Sequence, residues 1–121
     1  MKSYPNIATT VNSLMVEFAP NPSHAKDLSL KMVLDYGESG EVIGVEILNL
    51  AFEAGNNCLG IIQSAVPIQG DDLKFSYDEE CDAFYLRLRS GRSLQQKVVQ
   101  GNACLDNDSR IVSLNAEWHS L

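Results

Sequence analysis

The chain has 121 residues, of which 45% are hydrophobic and 21% are charged. These ordinary globular values predict one packed domain and exclude a multi-domain assembly and global disorder. Sixteen Asp and Glu residues against nine Lys and Arg residues give a formal net charge of -7. An acidic surface repels phosphate backbones and anionic lipids, so the charge argues against nucleic acid or a membrane as a direct partner.

The sequence has no features of an export signal or a membrane span. Residues 1–10 lack the apolar run of a signal peptide, and the nearly uncharged stretch 54–70 is interrupted by glycine, asparagine and proline. The cysteines, Cys58, Cys81 and Cys104, are widely spaced and form neither a C-x-x-C pair nor a group with histidine. We therefore expect a soluble protein of the reducing cytoplasm.

Alternation of apolar and polar residues predicts a series of β-strands. In the first half it covers 14–18, 28–34 and 43–47, with Ile43, Val45 and Ile47 on one face. In the second half it covers 84–88, 95–99, 103–105 and 112–118, with Gly101 and Asn102 bending the chain between the middle two. Val112, Leu114, Ala116 and Trp118 share one face of the last strand.

The connector between the halves carries helical signals. Residues 50–54 followed by Gly55 predict a short helix with a glycine stop. Cys58, Ile61, Ile62 and Ala65 recur at helical spacing, although Gly60 and the two isoleucines also suit a strand.

The two halves follow the same pattern at a spacing of about 70 residues. Residues 13–18 align with 83–88, and the strand 43–47 aligns with 112–116. We predict one compact domain of two repeats, 1–52 and 69–121, joined by a connector at 53–68. The expected fold is mainly β, with α+β as the alternative: two tandem antiparallel β-meanders packed as a pseudo-twofold sandwich or barrel.

The segment 77–88, Tyr-Asp-Glu-Glu-Cys-Asp-Ala-Phe-Tyr-Leu-Arg-Leu, resembles the opening of a bacterial and archaeal family, domain of unknown function 2283. That opening has Tyr-Asp, an acidic turn and Asp-Ala before an aromatic-rich strand. The resemblance covers residues 73–118. Residues 7–48 resemble the pattern in degraded form, with Ile7 and Ala8 at the positions of Tyr77 and Asp78. The resemblance implies a small β-rich fold of unassigned activity and brings no catalytic residues.

The acidic turn is the sharpest polar feature of the sequence. Asp78, Glu80 and Asp82 are candidate ligands of a divalent cation, because hard cations bind carboxylate oxygens that converge from a short loop. The turn lacks the glycine and the distal glutamate of an EF-hand loop, and charged turns are common because turns are solvated. A cation site and a plain solvated turn therefore both stay open. The cation site favours a metal-binding protein or a carboxylate-based enzyme as the alternative function.

A second candidate surface is the outward face of the strand 84–88. Arg87 and Arg89 form a basic stripe beside Tyr85, and these residues could bind a partner or pair with acidic residues on a neighbouring strand.

The leading functional hypothesis is a non-catalytic protein-interaction or assembly module. An exposed edge strand would serve for self-association or for strand addition by a partner, and the acidic surface favours a basic partner. No cofactor or small-molecule ligand is indicated by the sequence.

Overall fold

The computed structural model describes residues 4–22, 25–66 and 72–119. They form one antiparallel sheet of eight strands and two short helices in the connector, which confirms the mainly β fold and the short helix predicted at 50–54. The segment around Ile61 and Ile62, for which helix and strand both stayed open, is a helix. In chain order the elements are β1 Asn6–Thr9, β2 Ser13–Glu17, β3 Lys26–Tyr36, β4 Val42–Leu48, α1 Leu50–Ala54, α2 Gly60–Ala65, β5 Lys74–Asp78, β6 Ala83–Arg87, β7 Gln95–Leu105 and β8 Ile111–Glu117.

The sheet is continuous and curls into a half barrel, with the order β1-β2-β8-β7-β3-β4-β6-β5. Each predicted meander is therefore divided into two hairpins. The hairpin β1–β2 pairs with β8, and the hairpin β5–β6 pairs with β4. Neither of the two described helices has the length and hydrophobicity of a membrane-spanning segment.

The longest strands, β3 and β7, form the centre of the sheet. They pair along all eleven residues, from Lys26 opposite Leu105 to Tyr36 opposite Gln95. The middle pair is Lys31 and Gln100. Exchanging β1–β4 with β5–β8 reverses the strand order onto itself, so this middle pair marks an approximate twofold centre of the topology.

The core lies on the inner face of the curled sheet, where the helices pack. Alternate residues of the strands point inward, as in Leu14 and Val16 of β2 and Phe84 and Leu86 of β6, which are all buried. Leu50 of α1 and Ile62 of α2 are fully buried in the same cluster. The helices therefore close the concave side that an isolated half barrel would expose to water.

The predicted inner faces of β4 and β8 are wrong at their first residues. A β-bulge on each strand pairs Val42 with Tyr36 and Ile111 with Leu105, leaving Ile43 and Val112 as extra residues. Val42 and Ile111 therefore join the central core in their place. Alternation alone cannot detect an inserted residue between two apolar neighbours.

The predicted bend at Gly101 and Asn102 is also wrong, because both residues lie inside β7. Gly101 pairs with Leu30 and Ala116 on the core side of the sheet. A Cβ atom at this position would lie 2.5 Å from Sδ of Met32 and 3.0 Å from the carbonyl oxygen of Asn115. The glycine makes room for a methionine side chain rather than bending the strand.

The strands β1 and β5 were not predicted, and they change the alignment of the two halves. Leu14 and Phe84 have equivalent places in the sheet, and their partners in the hairpins are Thr9 and Tyr77. Thr9 and Thr10, not Ile7 and Ala8, therefore lie where the second half has Tyr77 and Asp78. The first turn has two intervening residues and the later turn has four, 79–82, which accounts for the shift. The predicted boundary between connector and second repeat, within 67–71, lies outside the described residues.

We expect Gly101→Ala to lower the free energy of unfolding by about 1–3 kcal/mol, because Met32 is fully buried and cannot move aside freely. Gly60→Ala is the matched control, since a Cβ there would meet Cδ of Arg110 at an ordinary 3.4 Å. Urea unfolding of both variants measures the difference. Equal stability of the two variants would contradict the packing argument.

Candidate functional site

The candidate site is the open edge of the sheet at β5. This strand is last in the sheet order, and β6 is its one hydrogen-bonded neighbour among the described strands. A groove of about 650 Å³ runs along it. The groove is lined from both faces of the sheet, by Gln63, Lys74, Phe75, Ser76, Tyr77, Glu79 and Tyr85. An edge strand with open space beside it can accept a further strand.

Two aromatic side chains hold β5 in place from the inner face. Phe75 is buried and packs against Phe84, with ring centroids 6.3 Å apart and ring planes tilted by 34°. Tyr77 is half-buried and donates its hydroxyl to Oδ1 of Asp82 at 2.6 Å. Lys74 and Ser76 point to the opposite face, because successive side chains of a strand alternate. The edge is thus a strand that is packed on its inner side, while Ser76 on its outer side is exposed.

The carboxylate of Asp82 binds the first turn of α1. Its Oδ1 accepts the backbone N–H of Ala51 at 2.8 Å, and its Oδ2 accepts that of Phe52 at 2.9 Å. The Asp82 carbonyl also accepts the N–H of Asn49 at 2.8 Å. These amides are among those that a helix leaves without intrahelical partners, so Asp82 caps α1 from the distant acidic turn.

The ionisation of Asp82 and Tyr77 follows from this arrangement. Burial opposes the charge of Asp82, but hydrogen bonds from Tyr77, Ala51 and Phe52 outweigh it and lower the pKa of the carboxyl below 3.8. The hydrogen bond to Asp82, with burial and nearby negative charge, raises the pKa of the Tyr77 phenol to about 12. At neutral pH the pair is a carboxylate and a neutral phenol.

The other two predicted metal ligands do not join Asp82. Asp78 turns its Oδ1 toward its own loop, where it accepts the backbone N–H of Glu80 at 3.0 Å and of Cys81 at 3.3 Å. Glu80 is exposed. Within residues 4–22, 25–66 and 72–119, no three acidic, cysteine or histidine side chains form a group that could hold a metal ion.

Tyr85, which lies beside the predicted basic stripe, contacts a buried carboxylate. Its hydroxyl donates to Oδ2 of Asp35 at 2.8 Å, while Nε2 of Gln96 donates to Oδ1 at 2.8 Å. Burial and the Asp35 carboxylate raise the pKa of Tyr85. The ring crosses β4 above Gly44, where any Cβ would collide with the Tyr85 hydroxyl. Tyr85 therefore pairs with an acidic residue of its own sheet, as the cross-strand interpretation expects.

The two arginines of the stripe are half-buried and make contacts within the chain. Arg87 donates its Nε to the Asp72 carbonyl at 2.9 Å. Arg89 donates an Nη2 hydrogen to Oγ1 of Thr9 at 3.4 Å, which joins the loop after β6 to the opposite edge strand of the half barrel. The structure thus places Tyr85 on the groove at β5, whereas Arg87 and Arg89 contact Asp72 and Thr9.

Sequence reasoning missed Asp35 and Gly44 as parts of this cluster. The available signal was an aspartate that follows the apolar residues 32–34 in β3, together with a glycine in the next strand. This signal could be interpreted only once the strand pairing was known, because β3 pairs with β4 and β7 so that Asp35 lies opposite Gly44 and Gln96.

Comparison with known proteins gives one family match. Residues 9–50 match the model of a family described as "Protein of unknown function (DUF2283)". The match falls on the half that sequence analysis considers degraded, and it begins at Thr9, the structural equivalent of Tyr77. No curated protein and no solved structure gives a significant match to the chain.

We expect Asp82→Ala to cost about 1–2 kcal/mol of stability through loss of the cap on α1. Asp82→Asn should cost less, because asparagine keeps an acceptor oxygen and tolerates the left-handed backbone at φ 51°. Thermal unfolding at neutral pH separates the two variants.

The same cap predicts a pH dependence. Because folding lowers the pKa of Asp82, the ionised carboxylate stabilises the fold above about pH 4, and this contribution is lost as the pH falls through the lowered value. The stability difference between wild type and Asp82→Asn should therefore narrow in acid. A difference that stays constant down to about pH 2.5 would show that the charge has no role.

For the Asp35 cluster we expect Tyr85→Phe to cost about 1–3 kcal/mol, because it leaves a buried carboxylate oxygen without its donor. In an Asp35→Asn background the same substitution should cost less, since the orphaned group is then neutral. A double-mutant cycle by urea unfolding measures the coupling, and a coupling of zero would contradict it.

Proposed function

We propose that the protein is a non-catalytic interaction module that binds a protein partner by strand addition at the β5 edge. The observation that carries the proposal is the groove of about 650 Å³ beside a terminal strand. Strand addition uses the outward main-chain groups of such an edge for affinity and the neighbouring side-chain positions for specificity.

The hydrogen bonds of the aspartates near the edge support the same proposal. Asp82 and Asp78 use carboxylate oxygens to accept main-chain N–H groups, and Asp35 accepts from Tyr85 and Gln96. These bonds stiffen the turn and the strand that border the groove. A rigid edge suits strand addition, because the partner alone must lose conformational freedom on binding.

We further propose that the chain is a tandem duplication of the unit matched at residues 9–50. Three features support it: the strand order that maps onto itself, the equal length of β3 and β7, and the β-bulges at equivalent places. The repeats would span 1–52 and 69–121, with 53–68 as the connector. Three free cysteines favour a cytoplasmic location for the module.

Hydrogen exchange provides the test. The full-length protein serves as bait in a native lysate, and amide exchange is compared between the recovered complex and the free protein. We expect slower exchange in the fragment containing 74–78, because an added strand protects the outward amides of β5. The opposite edge, β1, is the internal control.

Protection that appears elsewhere and leaves 74–78 unchanged would overturn the β5 edge as the binding site. Failure to recover any reproducible partner, with unchanged exchange at 74–78 and a wild-type chain that is monomeric, would count against an interaction module altogether.

A further inference from the structure

The β5 edge has a residue pattern that complements itself. Its five residues run Lys74, Phe75, Ser76, Tyr77 and Asp78, with opposite charges at the ends and aromatic residues on either side of a central serine. When a second copy of the strand runs in the opposite direction, its Lys74 lies at the end where the first copy has Asp78. In an antiparallel pair such a sequence fits a second copy of itself.

From this pattern we infer that the occupant of the β5 edge is the β5 strand of a second copy of this chain. The two strands would pair antiparallel, with Ser76 opposite the partner's Ser76. Lys74 would then lie opposite the partner's Asp78, and Phe75 opposite the partner's Tyr77, each pair occurring twice. The inference rests on the proposed strand addition and specifies its partner.

The side-chain faces agree with this register. Directly opposed residues of an antiparallel pair point to the same face with Cβ atoms about 4.5–5.5 Å apart. Lys74, Ser76 and Asp78 share the outer face of the sheet, so the charged pairs would meet there. Phe75 and Tyr77 share the inner face, where the partner's rings would cover the half-buried Tyr77.

The two charged groups are available for this contact. Neither Lys74 nor Asp78 forms an ion pair with another residue in the described ranges. Asp78 uses Oδ1 for its own turn, so Oδ2 can face the partner's Lys74. Ser76 is exposed and lines the groove at the centre of the proposed pair.

The other edge of the sheet does not offer the same specificity. Strand β1 reads Asn6, Ile7, Ala8 and Thr9, without a charged residue. Its structural counterparts of Lys74 and Asp78 are Asn6 and Thr10. No charge pair would set the register there, whereas a slip of one residue at β5 would separate both ion pairs and invert the side-chain faces.

The net charge sets the conditions for association. Each chain carries -7, so two copies repel at long range. At physiological ionic strength the Debye length is about 8 Å, which screens distant charges more than a directly opposed Lys and Asp. Association should therefore be stronger at 0.15 M salt than at very low salt.

Disulfide trapping of the full chain tests the register. In a Cys81→Ser background, which removes the exposed native thiol, Ser76→Cys should form a covalent dimer under mild oxidation. Lys74→Cys is the matched control: it would sit four residues away from its own copy, about 13 Å along the strand, and should not cross-link. Equal cross-linking of both variants would overturn the register.

Charge reversal tests the partner. Lys74→Glu should weaken the dimer about tenfold in sedimentation equilibrium, because both charge pairs become repulsive. Asp78→Lys should also weaken it, and an equimolar mixture of the two variants should dimerise again because both pairs are then attractive. Lys31→Glu, with the same net charge as Lys74→Glu, controls for long-range repulsion. Circular dichroism verifies that each variant is folded.

The results separate this inference from the proposed function. A wild-type chain that stays monomeric at all concentrations overturns the second copy as occupant. If a different protein then protects residues 74–78 from exchange, strand addition at β5 stands with another partner. If nothing protects them, both fail.

Discussion

The pairing of β3 with β7 is the constraint on which the rest of the structure depends. Eleven consecutive residue pairs join the first half of the chain to the second. β4 pairs with β3 on one side of this centre, and β8 pairs with β7 on the other. The first hairpin of each half then pairs with the last strand of the other half, β1–β2 with β8 and β5–β6 with β4. Neither half forms a continuous sheet by itself, because the two halves share one sheet and one core. A unit of this size would otherwise bury too little apolar surface to be stable.

This exchange of hairpins also creates the candidate site. The hairpin β5–β6 pairs with β4 through β6, and β5 is the terminal strand with open space beside it. The same placement brings Tyr85 of β6 across Gly44 to the buried carboxylate of Asp35. It also brings Asp82 to the amides of α1, which follows β4 in the chain. The edge, the buried aspartate and the capped helix are thus consequences of one topological step.

The two halves have different residue types at equivalent positions of the sheet. Asp35, Gly44 and Tyr85 have as structural counterparts Cys104, Ser113 and Met15. Burial of Cys104, with the nearby Asp27 carboxylate, raises the pKa of its thiol despite a hydrogen bond with Ser113. The charged cluster and the β5 edge therefore occur together in one half of the molecule, while the other half fills the same place with less polar side chains. A duplication that diverged in this way would leave one edge specialised for binding.

The sequence by itself determined the class of fold, most strands and the first connector helix, because alternation and helical spacing are local properties of the chain. It also located the acidic turn and Tyr85. Tertiary structure alone decided which strands are neighbours, where the bulges shift the inner face of β4 and β8, and which edge stays open. These depend on contacts between residues far apart in the chain, and a two-residue period has no information about which strand lies beside which. The carboxylate of Asp82 illustrates the difference: its charge was evident from the sequence, but its helix partner lies about thirty residues earlier in the chain.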